Sequence, residues 1–227
     1  MTNRNISICY KFLTITSLAL GIFLNISNTK SVVSLVSYYT LQSNILCLVF
    51  FVVALYTEIK YKNNSSNVYY ILKGQCIIAI FITALIYGIA LAPVGFDMAL
   101  KTTATTSKEI ANLLVHTISP TLVVLDYFWF DKKGHFKVYY PFLWLIFPIS
   151  YVLYVYIYSY RGGRFYGIGG SRKYAYWFLD YETIGKIGVF RWIVIVALVI
   201  LGLSYILFCY DSLRGKEKED WKVLFFC

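Results

Sequence analysis

The sequence predicts an all-α polytopic membrane protein: one domain, 1–227, folded as a bundle of six transmembrane helices with both termini cytoplasmic. Three observations predict it. Of the 227 residues 59% are apolar and 14% charged, where a soluble domain carries about 45–50% and about 25%. The mean hydropathy is +0.65. The apolar residues also fall into six runs, each near the roughly 20 residues that cross a hydrocarbon core. These values exclude a soluble globular or a disordered chain. Continuous runs favour helices over barrel strands, whose polarity alternates.

The first span is read at about 10–28. Arg4 and Lys11 precede its apolar run as in a signal peptide, but no small-residue cleavage site follows, so it is read as a helix. The second covers about 36–57. Its purely apolar part, Ile45 to Tyr56, is 12 residues long, about 18 Å, too short for a core of about 30 Å. The helix must therefore reach back through Thr40-Leu41-Gln42-Ser43-Asn44. The third covers about 71–93, the fourth about 110–130, the fifth about 139–159 and the sixth about 189–210. The long connection at about 160–188 contains GIGG. With no strand expected before it and no P-loop lysine after it, it reads as a mobile surface loop, not a phosphate cradle.

The net charge of +10 invites a nucleic-acid partner. The basic residues are scattered over the connections instead of forming one patch, so we reject that reading in favour of anionic lipid head groups. With the N-terminus inside, twelve Lys and Arg fall on the cytoplasmic side, Lys11 and Lys73 among them, and eight on the outer side. That bias sets the orientation. The five cysteines (Cys9, Cys47, Cys76, Cys209, Cys227) contain no CxxC and signal neither a disulfide framework nor a zinc site. Cys227 is the last residue and cannot head a prenylation box.

Function is read from polar groups that cannot avoid hydrocarbon. Thr40, Ser43 and Asn44 are spaced i, i+3, i+4 and share one helix face, whereas Gln42 points elsewhere. The fourth span is long enough only if His116 lies inside it, about 9 Å below its outer end. The second and fourth helices run the same way, so Thr40 and His116 sit at one depth. Pro120, one turn on, distorts the helix and frees a carbonyl. A hydroxyl becomes nucleophilic when a base takes its proton, and imidazole suits that work. Asn44 is a candidate oxyanion donor. Asp126 is about 15 Å along the helix from His116, too far to orient it. Asp180, in the outer loop, is the candidate to fold back over the site. The structural alternative is that the Thr40 cluster joins helices, at about 0.6 kcal/mol per hydrogen bond, and that His116 bonds a carbonyl. His135 reads as a surface residue.

Three segments carry a family resemblance: YYTLQSN at 38–44, LLVHTISPTLVVLD at 113–126 and YAYWFLDY at 174–181. With the six-span layout, they resemble the androgen-induced protein and androgen-dependent TFPI-regulating protein family, and most of all its bacterial integral membrane members. The third motif often carries Pro where Trp177 stands here, and the animal proteins space the His and the following Pro differently. The resemblance implies a membrane threonine hydrolase, with Thr40 as nucleophile and His116 as base. It implies a bacterial plasma membrane and substrates such as fatty-acid esters of hydroxy fatty acids.

The expected function is therefore Thr-dependent hydrolysis of lipid esters within the membrane. The catalytic pair is Thr40 and His116, with Asn44, Ser43 and Asp180 in support, and no metal or organic cofactor is expected. The alternative is a non-enzymatic lipid-binding or transport protein, in which Asn44, Gln42 and His116 bind a head group or relay a proton.

Overall fold

A computed structural model of the chain describes residues 4–61, 66–88, 106–167 and 170–225. The fold is all-α apart from one short hairpin. The helices are α1 (Arg4–Ser27), α2 (Val32–Val36), α3 (Tyr39–Tyr61), α4 (Asn67–Ile86) and α5 (Thr106–Leu113). A π-turn (Leu114–Ile118) joins α5 to α6 (Ser119–Phe130), followed by α7 (Tyr140–Leu143) and α8 (Ile146–Tyr160). Strands β1 (Phe165–Gly167) and β2 (Gly170–Arg172) and a 3-10 turn (Trp177–Leu179) precede α9 (Tyr181–Phe225). Among the described residues, six helical segments are long and apolar enough to cross a membrane: 4–27, 39–61, 67–86, 107–130, 140–160 and 181–216. They overlap all six expected spans; the first starts six residues earlier, the sixth extends eight residues before and six beyond its expected bounds, and 89–93 of the third lie outside the described residues.

Polarity in the bundle is arranged as lipid solvation would demand. Large apolar side chains face outward, among them Phe12, Phe23, Val53, Leu198 and Ile206. The interior holds Ser17, Ser43, Asn44, Lys73, Ser119, Asp126 and Asp211, each buried. A spanning helix satisfies its own backbone, so its outward face can be wholly apolar. Helix α1 packs on α3, α5 and α6, α3 on α4, and α4 on α6. Gly74 lets the indole of Trp144 lie flat against α4, where any Cβ would meet the ring. The Trp144 Nε1 donates to the Ile71 carbonyl at 3.0 Å, and Gln75 Nε2 donates to the Trp144 carbonyl at 2.9 Å.

Two expectations need correction. The connection before α9 is not simply a mobile loop. A strand does precede the glycines: β1 pairs antiparallel with β2, with Phe165 opposite Arg172 and Gly167 opposite Gly170. Phe165, Tyr174 and Leu179 bury their side chains. Tyr38 Oη donates to the Tyr166 carbonyl at 3.2 Å, and Tyr166 N donates to Ser34 Oγ at 2.8 Å. The segment is thus a folded cap on the end of the bundle where α3 begins. Among the described residues it leads into no βαβ unit, and Ile168 and Gly169 of the GIGG run lie outside them.

The second correction concerns Lys11 and Lys73, counted above as cytoplasmic surface charges. Both are buried inside the bundle and ion-paired. Their side chains serve the interior, so they drop out of the count that set the orientation. Lys62 and Lys101, also in that count, lie outside the described residues.

Candidate functional site

The first turns of α3 carry the predicted cluster. Ser43 and Asn44 are fully buried and Thr40 is half-buried. Ser43 Oγ donates to the Thr40 carbonyl at 3.0 Å and lies 2.8 Å from Thr83 Oγ1 on α4, either hydroxyl able to donate. Asn44 Nδ2 donates to the Thr40 carbonyl at 2.7 Å and, across the helix interface, to the Val115 carbonyl at 3.2 Å. One amide therefore ties the peptide of Thr40 to the residue that precedes His116. Gln42, off that face, is half-buried.

His116 stands in the middle of the π-turn. A π-turn inserts one residue per turn, widens the helix locally and recurs at functional sites. Its cause is legible in the sequence. Pro120 offers no N–H to the carbonyl four residues back, and its ring crowds that position. The backbone N–H of Ser119 instead reaches the Leu114 carbonyl, five residues back. The helix is widened just before the proline rather than ended by it, and α6 continues from Ser119. Gly21 of α1 makes room for the bulge: a Cβ there would stand 3.0 Å from Leu114 Cβ and from Val115 Cγ1. Ser17 and Ser119 hydroxyls, 2.8 Å apart, pin α1 to the far side of the turn.

The imidazole of His116 stacks on the ring of Tyr87, with centroids 4.0 Å apart and planes inclined by 11°. It lies against the Thr83 backbone carbonyl. Its Nδ1 is buried with no hydrogen-bond partner. Thr83 thus touches both halves of the site, through its hydroxyl to Ser43 and through its carbonyl to His116. Sequence reading missed Thr83 and Tyr87. A lone Thr in an apolar helix is the weak signal that was available for the first.

The structure brings Thr40, Ser43, Asn44 and His116 to one level of the bundle. Among the described residues no hydrogen bond joins Thr40 Oγ1 to His116. Asp180 is placed elsewhere: its Oδ1 accepts from the N–H groups of Glu182 and Thr183 at 3.0 and 3.3 Å, and its Oδ2 accepts from Thr183 Oγ1 at 2.8 Å. Oδ1 caps the start of α9 by taking its orphan N–H groups, while Oδ2 is held by the Thr183 side chain. No bond links Asp180 to His116.

At the other end of the bundle is a second polar assembly that sequence reading did not foresee. Lys73 pairs with Asp126 and, at 3.0 Å, with Asp131. Lys11 pairs with Glu58 at 3.1 Å and with Asp126 at 3.4 Å. Tyr69 Oη donates to Asp131 at 2.7 Å, and Lys73 Nζ stands 4.8 Å from the Phe51 centroid. Lys73 and Asp126 are fully buried. Nearby, Asp211 accepts from Tyr127 Oη at 2.6 Å and from the Phe136 N–H at 2.7 Å. The available signal was opposite charge inside apolar runs of separate helices, which demands a partner.

Chemically, the Thr40 end offers hydroxyls, one amide and one imidazole. That set suits proton transfer and hydrogen bonding; a metal centre would need three or four strong ligands, and His116 alone supplies one. An unpartnered Nδ1 is an acceptor able to take a hydroxyl proton. Comparison with protein-family models, with curated proteins and with solved structures finds no match to this chain.

Proposed function

We propose that the chain is an integral membrane protein of six spanning helices with both termini cytoplasmic, and that it hydrolyses lipid esters at the Thr40 end. The observation that carries the reading is Asn44, whose single amide bonds the Thr40 carbonyl at 2.7 Å and the Val115 carbonyl at 3.2 Å and so holds nucleophile and base at one depth. The unpartnered His116 Nδ1 supports it. The resemblance of YYTLQSN and LLVHTISPTLVVLD to the membrane threonine hydrolases supports it independently and favours a bacterial plasma membrane.

In this mechanism His116 takes the Thr40 proton as Oγ1 attacks the ester carbonyl. Asn44, with both amide hydrogens given to carbonyls, positions the pair and does not donate to the tetrahedral oxyanion; the Ser43 hydroxyl, which can rotate, is the remaining donor at that level. Collapse expels the alcohol, which receives the proton from His116, and leaves an acyl-threonine. Water, deprotonated by His116, then releases the acid. Catalytic hydrogen bonds that are open in a free enzyme tighten when substrate is bound. The substrate class is a long-chain carboxylic ester, such as a fatty-acid ester of a hydroxy fatty acid, entering sideways from the bilayer. Turnover by the detergent-purified protein, lost in well-folded Thr40→Ala and His116→Ala, is the expected result. Turnover unchanged in both variants overturns the assignment.

A second reading is favoured by one specific observation, the buried Lys11–Glu58–Lys73–Asp126–Asp131 network. Intramembrane ion networks mark ion or proton paths in transporters. Under that reading His116 relays a proton and the chain binds or moves a lipid without cleaving it. Proton-coupled flux in liposomes with no ester turnover would select it.

A further inference from the structure

The folded cap before α9 holds a cleft of about 420 Å³ lined by Arg172, Lys173, Tyr174, Tyr176, Trp177 and Asp180. We infer that this cleft binds the phosphate head group of an anionic phospholipid, with Arg172 and Lys173 on the phosphate and Trp177 at the start of the acyl region. The inference rests on the membrane reading of the chain but not on ester hydrolysis.

Three observations carry it. Two cations of adjacent residues line one wall, and a phosphate takes hydrogen bonds from a guanidinium fork and an ammonium together. The Lys173 ammonium pairs with Glu182, but that contact is largely exposed, with side chains 35% and 55% accessible. An exposed ion pair is worth little, so a phosphate oxygen displaces it at low cost. Asp180, the one carboxylate in the lining, has Oδ1 bound by N–H groups at the start of α9 and Oδ2 by the Thr183 hydroxyl. The lining thus sets two cations against this one carboxylate.

Third, the aromatic side of the cleft faces where lipid would lie. Trp177 is exposed and packs edge-on against Trp192 of α9, with centroids 5.0 Å apart. Tryptophans at this position match the interfacial belt of membrane proteins, one side apolar and the other wet. Beyond them α9 presents Ile195, Leu198 and Val199 outward, a track for an acyl chain leading away from the phosphate.

The test is native mass spectrometry of the detergent-purified full chain with three probes: dioleoyl phosphatidylglycerol, uncharged dioleoyl glycerol and soluble glycerol phosphate. Phosphatidylglycerol should be retained in preference to dioleoyl glycerol. Retention should fall about thirtyfold in Arg172→Gln/Lys173→Gln, the scale expected for two interfacial cations. The same charge loss at the opposite end, Lys132→Gln/Lys137→Gln, should leave it unchanged, and so should Thr40→Ala, which separates this site from the hydrolase reading. Arg172→Gln alone, at an exposed position, should give a partial loss with an unaltered gel-filtration profile. Equal loss in the two double variants would reduce the effect to bulk charge and overturn the proposal. Equal retention of the charged and uncharged lipids would overturn it as well. Competition by glycerol phosphate at the same concentration as the lipid would assign the cleft to a soluble phosphate instead.

Discussion

At one end of the bundle Lys11, Glu58, Lys73, Asp126 and Asp131 close on one another as ion pairs. At the other, Thr40, Ser43, Asn44, Thr83 and His116 meet through neutral hydrogen bonds, and atoms are left over: His116 Nδ1 and Asn44 Oδ1 are buried without a partner. The two regions share the same helices. Glu58 and Thr40 lie on α3, and Asp126 and His116 lie ten residues apart on the fourth span. Burying a charge costs several kcal/mol unless a partner compensates it, so each member of an ion network is held by the others. A neutral group with spare capacity costs less to keep and remains available to a ligand. The difference separates what fastens the helices together from what is poised to act.

The largest effect expected from breaking this contrast is at Asp126. Asp126→Ala strips Lys11 and Lys73 of a shared partner inside the bundle and should cost about 3–5 kcal/mol, read as a lowered melting temperature in detergent. Lys73→Met/Asp126→Leu should recover only part of that loss, because the pair becomes apolar while Asp131 is left without its cation. A wild-type melting curve for Asp126→Ala would break the contrast outright.

Thr40→Ala and His116→Ala should do the opposite. Their stability cost should stay under about 1 kcal/mol, as for a half-buried group outside any network, while ester turnover falls by at least about a hundredfold, the scale of a general base. A melting temperature that fell as far as for Asp126→Ala would make this end structural as well.

Asn44→Leu sharpens the comparison, since it removes both of the bonds that align the site. Losing these two bonds should cost about 1–2 kcal/mol, with turnover reduced in proportion to the misplacement of His116. Gly21→Ala should act on the π-turn from behind. Its Cβ would press on Leu114 and Val115 at 3.0 Å, a small overpacking of about 1 kcal/mol, visible as a larger loss in activity than in melting temperature.

The smallest effect belongs to Lys173 and Glu182 in the cap. The hydrogen bond to Glu182 holds the Lys173 ammonium above its ordinary pKa. A raised lysine contributes stability that is present below its unfolded value, about 10.4, and is lost as pH rises through the folded value. Glu182→Gln should therefore leave the melting temperature unresolved from wild type at pH 7 and flatten its fall above about pH 10.4.

Six apolar runs, and the presence of Thr40 and His116 within them, follow from the sequence alone. Length and hydropathy are properties of each segment, and no neighbour changes them. The depth of each polar group follows too, because rise per residue is fixed along a helix. The distortion at Pro120 was legible for a similar reason: a missing N–H is a local fact. What the sequence could not supply is rotation about each helix axis and the identity of neighbours. Lys11 and Lys73 looked like surface charges because each lies near the end of its own helix; only packing against α3 and α6 turned them inward on Glu58 and Asp126. Asp180 looked free to reach His116, and the start of α9 claimed both its oxygens. The hairpin at Phe165–Arg172 is too short to carry a period and acquires its order from Tyr38 and Ser34, more than a hundred residues away in the chain. Tertiary structure decided the lysines and the hairpin because each depends on a contact between segments, and single-segment patterns hold no information about which surfaces meet; the Asp180 cap is local, within three residues, and is an N-cap signal that sequence reading passed over.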